Sequence, residues 1–218
     1  MLQTDEAAFR RWRLNQWVRT QESWLPAGSW EACRSDHQLL DELPVWVGLD
    51  MALKHDSIAV VIAQPHPDGV VVTRSQIWQP RDEGVDVAGV EHYLRSLHQR
   101  YQIQEIVYDP AYFQRSAEHL ADDGMPMVEF PQSSARMIPA CGHAYELIVN
   151  KKVAHDGSPT YTDQVLSAAQ RMTDQGWRLS KGKSKRKIDA AIALVMALDR
   201  ATSRQTASIS PNIVQVWS

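Results

Sequence analysis

Between Pro44 and Trp78 the chain carries three strand-like runs joined by turns too short to hold a crossover helix. Val45, Val47 and Leu49 alternate with Trp46, Gly48 and Asp50, the period of a β-strand. The turn Lys54-His55-Asp56-Ser57 leads to the apolar run Ile58–Ala63, and Pro65-His66-Pro67-Asp68-Gly69 separates that run from Val70–Trp78. Strands linked this closely are restricted to an antiparallel meander, because a parallel return needs a long crossover.

Beyond Trp78 the chain has the opposite rhythm. Val87, Val90, Tyr93, Leu94, Leu97 and Tyr101 recur at helical spacing within 85–101, followed by a strand over Ile103–Tyr108. Helix is expected over Tyr112–Leu120, strand over Met125–Phe130, and helix over Ala135–Asn150 with Ser133 or Ser134 as its cap. His155-Asp156-Gly157-Ser158-Pro159 reads as a turn, 160–172 as helix and Gly176–Leu179 as a short edge strand. The alanine-rich stretch Ala190–Arg200 reads as a last helix. Three antiparallel strands followed by strands separated by helices predict an α/β domain with a mixed sheet, the RNase H-like order. In that order the first strand lies centrally, beside the strand that comes after the first helix.

With 218 residues, 44% of them hydrophobic, the chain can bury one sizeable core. A formal net charge of -3 excludes a protein that coats nucleic acid by bulk charge, but leaves room for a local basic groove. Cys33 and Cys141 form no CxxC pair, which argues against a zinc module or disulfide framework and for a reducing, intracellular setting. The polar start Met1–Glu6 and the lack of any apolar run near ~18 residues argue against a signal peptide and a membrane span. Residues 1–43 form a connector or docking segment in this reading, 44–202 the core domain and 203–218 a loosely held tail. The connector holds a short amphipathic helix over Phe9–Val18. After it comes a tryptophan-rich stretch with Trp24 and Trp30, of the kind that packs onto another surface of this chain or of a neighbouring domain.

Three acids stand where chemistry is possible. Asp50 closes the first strand, on the face opposite Val45, Val47 and Leu49, and Asp109 closes Ile103–Tyr108. Asp189 opens the last helix, which is expected to lie across the sheet edge with Ala190, Ala193 and Ala197 allowing close approach. Singly, each has a routine explanation as a turn former or a helix-dipole partner. Together at adjacent strand ends, three carboxylates would bind hard divalent cations through oxygen. Two such ions ~3.5–4 Å apart can activate an attacking water and stabilise the leaving oxygen of a phosphodiester. The run containing Lys181, Lys183, Lys185, Arg186 and Lys187 is a solvated loop if read alone. Beside an acidic site it suits positioning of a phosphate backbone, without regard to base sequence. Asp56, Glu129, His143, Glu146, His155 and Asp156 are weaker candidates: they fit turns, a supporting group at a strand end, or no ligand spacing at all.

Val153–Pro159 and Lys183–Leu194 resemble the C-terminal nuclease domain of bacteriophage large terminase subunits. Val47-Gly48-Leu49-Asp50 and Val107-Tyr108-Asp109-Pro110 match that family in order and spacing, and Phe9–Asn15 and Trp24–Cys33 resemble its connector. The resemblance runs from about Phe9 to Ala201. It implies an RNase H-like, metal-dependent endonuclease that cuts concatemeric viral DNA during packaging, in the host cytoplasm. Magnesium or manganese would be the ion, one or two of them, with Asp50, Asp109 and Asp189 as ligands. Its partners would be double-stranded DNA, a packaging ATPase domain, the small terminase subunit and the portal. The sequence contains no GxxxxGK[ST] motif, so ATP hydrolysis and translocation are not assigned to it, and an isolated domain or truncated product is expected. The rival readings are a junction resolvase or recombinase of the same fold, a catalytically silent docking module, and an actin-like nucleotide binder, which would need glycine-rich phosphate loops that are missing here.

Overall fold

The computed structural model describes residues 23–51, 57–80, 84–181 and 186–208, with no side-chain detail for 204–208. The expected helix at Phe9–Val18, Asp56, Lys183, Lys185 and the last ten residues lie outside these.

Three strands come first, β1 (Val45–Met51), β2 (Ile58–Pro65) and β3 (Val71–Trp78), paired antiparallel as the short turns require. Helix α1 (Val87–Arg100) returns the chain to β4 (Ile103–Tyr108), which pairs parallel with β1. Helix α2 (Pro110–Asp122) leads to β5 (Met127–Glu129), parallel to β4. Helix α3 (Ser134–Val149) then crosses to β6 (Val153–His155), parallel to β3 on the far edge. The six-stranded order is β5-β4-β1-β2-β3-β6, with β1 central and next to β4.

Helix α4 (Pro159–Ser167), a hairpin of β7 (Ala169–Thr173) and β8 (Gly176–Ser180), and α5 (Asp189–Ser208) complete the domain. Three local expectations are revised. His155 ends an edge strand instead of sitting in a turn, because its short run finds a partner in β3. Residues 169–173 form a strand, not the end of a helix, since they pair with β8. For the same reason β8 belongs to a separate two-stranded ribbon and not to the edge of the main sheet.

Strand alternation sends apolar side chains to both faces, and each face is covered. Val45, Val47 and Leu49 join Val60, Ile106, Leu94 and Phe113 under α1 and α2. Trp46, Ala59, Val61 and Val107 face α3, α4 and α5. Helix α5 is therefore not amphipathic in the ordinary sense: every residue from Ile188 to Leu198 is buried. Nor does it lie over a sheet edge. It crosses the centre of the sheet, where a Cβ at Gly48 would come within 2.1 Å of the Ala193 carbonyl oxygen. Glycine on β1 and small residues on α5 together allow the backbones to approach. Further along, Arg200 grips the buried Glu105 of β4 with two hydrogen bonds, of 2.6 and 3.0 Å.

The tryptophan-rich stretch packs on this same chain. Trp24 and Trp30 are fully buried, and the Trp24 indole donates to the Val165 carbonyl at 2.7 Å. Trp30 stacks on His155 with ring centroids 4.0 Å apart. The His155 Nε2–H donates to the Trp30 carbonyl at 2.8 Å, while Nδ1 accepts from the Gly157 N–H at 3.0 Å. This arrangement holds a neutral ring, and burial lowers its pKa further. His155 thus has a packing role.

Candidate active site

The parallel register of β1 and β4 pairs Leu49 with Tyr108, so the next residues, Asp50 and Asp109, emerge side by side at the carboxyl ends of the two strands. Asp50 lies on the α5 face, almost wholly buried. Asp189, in the first turn of α5, comes down on the same point and is buried too. Both acids line a pocket of about 250 Å³ together with Tyr112, Gln132, Arg178 and Lys181.

Asp109 stands slightly apart. Its side chain accepts from the Ala111 N–H at 3.0 Å and caps α2, with Pro110 in the first turn, and it is not among the residues lining the pocket. Its charge still reaches Asp50. Among the described residues no group of three or more His, Cys, Asp or Glu side chains is gathered closely enough to hold a metal ion.

The electrostatics centre on Asp50. Burial pushes its carboxyl up to about 8, and the charges of Asp189 and Asp109 push in the same direction. A hydrogen bond from the Gln132 amide, 2.6 Å to Oδ1, and the charge of Lys181 act against them. A buried acid crowded by two others is a site that a hard cation would relieve, and its donors are the carboxylate oxygens such ions prefer. The pair Asp50 and Asp189 offers oxygen donors of the kind a divalent metal takes, with Asp109 turned to its helix cap.

The basic run divides. Lys181 lines the pocket, whereas Arg186 pairs with Asp163 at 3.2 Å and Lys187 donates to Gln79 at 3.2 Å, both on the exposed surface. Of the weaker candidates, Glu129 is exposed at the end of β5, His143 contacts Thr202, and Asp156 turns back to the Ser158 N–H.

Several pocket residues escape a reading of the sequence. Gln132 and Arg178 come from a loop and from a hairpin strand, without any periodic signal. Arg178 donates to the Gln132 carbonyl at 3.4 Å. Gln164 did leave a trace: it is a polar residue on the face of α4 that buries Tyr161 and Val165.

A central β1 beside a parallel β4, with acids at their carboxyl ends and a helix bringing a third across the sheet, defines an RNase H-like α/β domain. The sequence matches the terminase large subunit endonuclease domain family over residues 3–82 and 70–205, and the chain belongs to that family. It is 25% identical to the terminase large subunit of Enterobacteria phage HK97 over 238 aligned positions, 92% of this chain and 46% of the relative. The chain thus spans about half the length of that curated relative. The crystal structure of the HK97 large terminase superposes with a TM-score of 0.74 at 23% identity, over 88% of this chain and 46% of that one. The large terminase nuclease of thermophilic phage G20c with bound magnesium superposes with a TM-score of 0.64 at 14% identity, over 84% and 99% respectively. A cobalt-bound form of the same nuclease has a TM-score of 0.63 at 15% identity, over 84% and 99%. No described helix is long and apolar enough to cross a membrane.

Proposed function

We propose that this chain is a divalent-metal-dependent endodeoxyribonuclease that hydrolyses phosphodiester bonds of concatemeric phage DNA during genome packaging. The observation that carries the reading is the meeting of Asp50 and Asp189 in one pocket, with Asp109 on the neighbouring strand end. Asp50, Asp109 and Asp189 would hold one or two Mg²⁺ or Mn²⁺ ions. Such ions supply Lewis-acid charge for activating water and stabilising the leaving oxygen.

The chain's own residues orient and balance charge. Gln132 fixes one oxygen of Asp50, and Arg178 and Lys181 bring positive charge to a pocket otherwise dominated by carboxylates. Lys181 then serves the phosphate being cut, with Lys183, Lys185, Arg186 and Lys187 following the flanking backbone. Residues 44–202 form the nuclease core, with 1–43 and 203–218 as a docking segment and a tail. By family, the setting is the host cytoplasm, and the partners are double-stranded DNA, a packaging ATPase domain, the small terminase subunit and the portal.

Supercoiled plasmid incubated with Mn²⁺ tests the proposal. The wild-type chain is expected to nick it, and Asp109→Asn to lose at least ~10²-fold in rate, the scale of removing one electrostatic stabiliser from such a site. Intact plasmid with wild-type protein across several metals, while DNA is still bound, would leave only a docking role. A marked preference for branched over linear duplex would point to resolvase chemistry instead.

A further inference from the structure

Beneath Asp189 lies a chain of hydrogen bonds between buried groups. The Ser57 hydroxyl donates to Asp189 Oδ2 at 2.5 Å. That hydroxyl accepts from the Gln164 side-chain N–H at 3.1 Å, and Gln164 Oε1 accepts from the Ala190 backbone N–H at 2.7 Å. Ser57, Gln164 and Asp189 are all buried, at 0%, 3% and 1% exposure.

Each bond settles the direction of the next. The Ala190 N–H can only donate, so the Gln164 oxygen faces it and the amide NH₂ faces Ser57. With its oxygen already accepting, Ser57 aims its proton at the carboxylate. The circuit joins three elements that meet under the pocket: the start of β2, α4 and the first turn of α5. Ser57 sits on the same sheet face as Ala59, the residue paired with Asp50. Burying three polar side chains is costly unless each is matched. Apolar residues would fill the same space more simply.

We propose that Ser57 and Gln164 are positioning residues for Asp189, holding its carboxylate in the one rotation that serves a divalent ion in the pocket. This rests on the nuclease reading above. Ser57 is the informative position, because removing its hydroxyl leaves the Gln164 contact to Ala190, and so the helix start, in place.

The test is calorimetric titration of Mn²⁺ into the full chain, alongside plasmid nicking over a range of Mn²⁺ concentrations. Ser57→Ala, shown to be folded by circular dichroism, is expected to bind Mn²⁺ roughly 10–100-fold more weakly, as for other groups that orient a metal ligand. Nicking should recover toward the wild-type rate as Mn²⁺ is raised, a rescue that damage to folding would not give. Gln164→Met, similar in volume, should behave alike, and the double variant should be no worse than the more affected single one. Wild-type Mn²⁺ affinity in folded Ser57→Ala overturns the proposal. If Ser57→Ala does not fold, Gln164→Met carries the same test, and failure of both to fold assigns the circuit to folding and sinks the proposal. A wild-type chain that binds no Mn²⁺ and nicks nothing would overturn the nuclease reading instead.

Discussion

Asp50 is a carboxyl that the fold holds against its ordinary chemistry. In the unfolded chain it loses its proton near 3.8, but in the folded protein only at about 8. Between those values the native state keeps a proton that the unfolded state has released. The stability Asp50 contributes is therefore fully present at acid pH and lost as pH rises toward 8. Thermal unfolding in EDTA should show the wild type losing melting temperature from about pH 4 to pH 8 relative to Asp50→Asn. At pH 8 the variant should be the more stable of the two, yet inactive in nicking. A wild type that tracks Asp50→Asn across this range would mean that Asp50 is not held protonated. That pattern would mark a residue kept at a cost in stability. Divalent metal should reverse the order by stabilising only the protein with an ionisable Asp50.

At the scale of elements, α5 is placed by its crossing of β1. Gly48 leaves no room for a side chain, since the atoms a Cβ would strike are backbone atoms of Ala193 and Ala197. Gly48→Ala should cost toward ~3 kcal/mol in urea unfolding, the upper range for overpacking where neighbours cannot yield. It should also lower nicking in whatever protein remains folded, because a displaced α5 carries Asp189 away from Asp50. An unchanged midpoint would show that the helix can ride outward freely. The Arg200–Glu105 pair pins the same helix further along, at the face of β4. Asp189 is thus located by contacts spread along α5, and Ser57 trims its final orientation.

For the whole molecule, the net charge of -3 means that any attraction to DNA would have to be local. Two cations, Arg178 and Lys181, line the acidic pocket, while Arg186 and Lys187 engage surface partners. Lys181→Ala should weaken duplex binding similarly for unrelated sequences and reduce the slope of log K against log salt by about 1. A slope equal to that of the wild type would remove Lys181 from the DNA contacts. Through the buried Trp24 and Trp30, the stretch 23–43 packs on its own domain.

Much of the fold is legible in the chain order. Short turns require β1 to β3 to be antiparallel, and helix-length separations require β4 and β5 to return parallel, which puts Asp50 and Asp109 at neighbouring strand ends. Those are local constraints, written in periodicity and connection length. Residues 169–173 and Val153–His155 depart from their expected states because a short strand is defined by its partner, and no window of sequence contains the partner. The same limit hides Gln132, Arg178 and Ser57, which are ordinary polar residues until the chain brings them together with partners across separations of up to 132 residues. By itself, then, the sequence determined the antiparallel meander and the central place of β1 beside β4, and pointed to the acids, since alternation and turn length act between neighbours. Only the tertiary structure decided that Asp109 turns aside to cap α2, that Asp50 and Asp189 share the pocket, and that Asp50 resists ionisation. Burial and electrostatics are sums over everything nearby in space, and those neighbours exist only once the chain has folded.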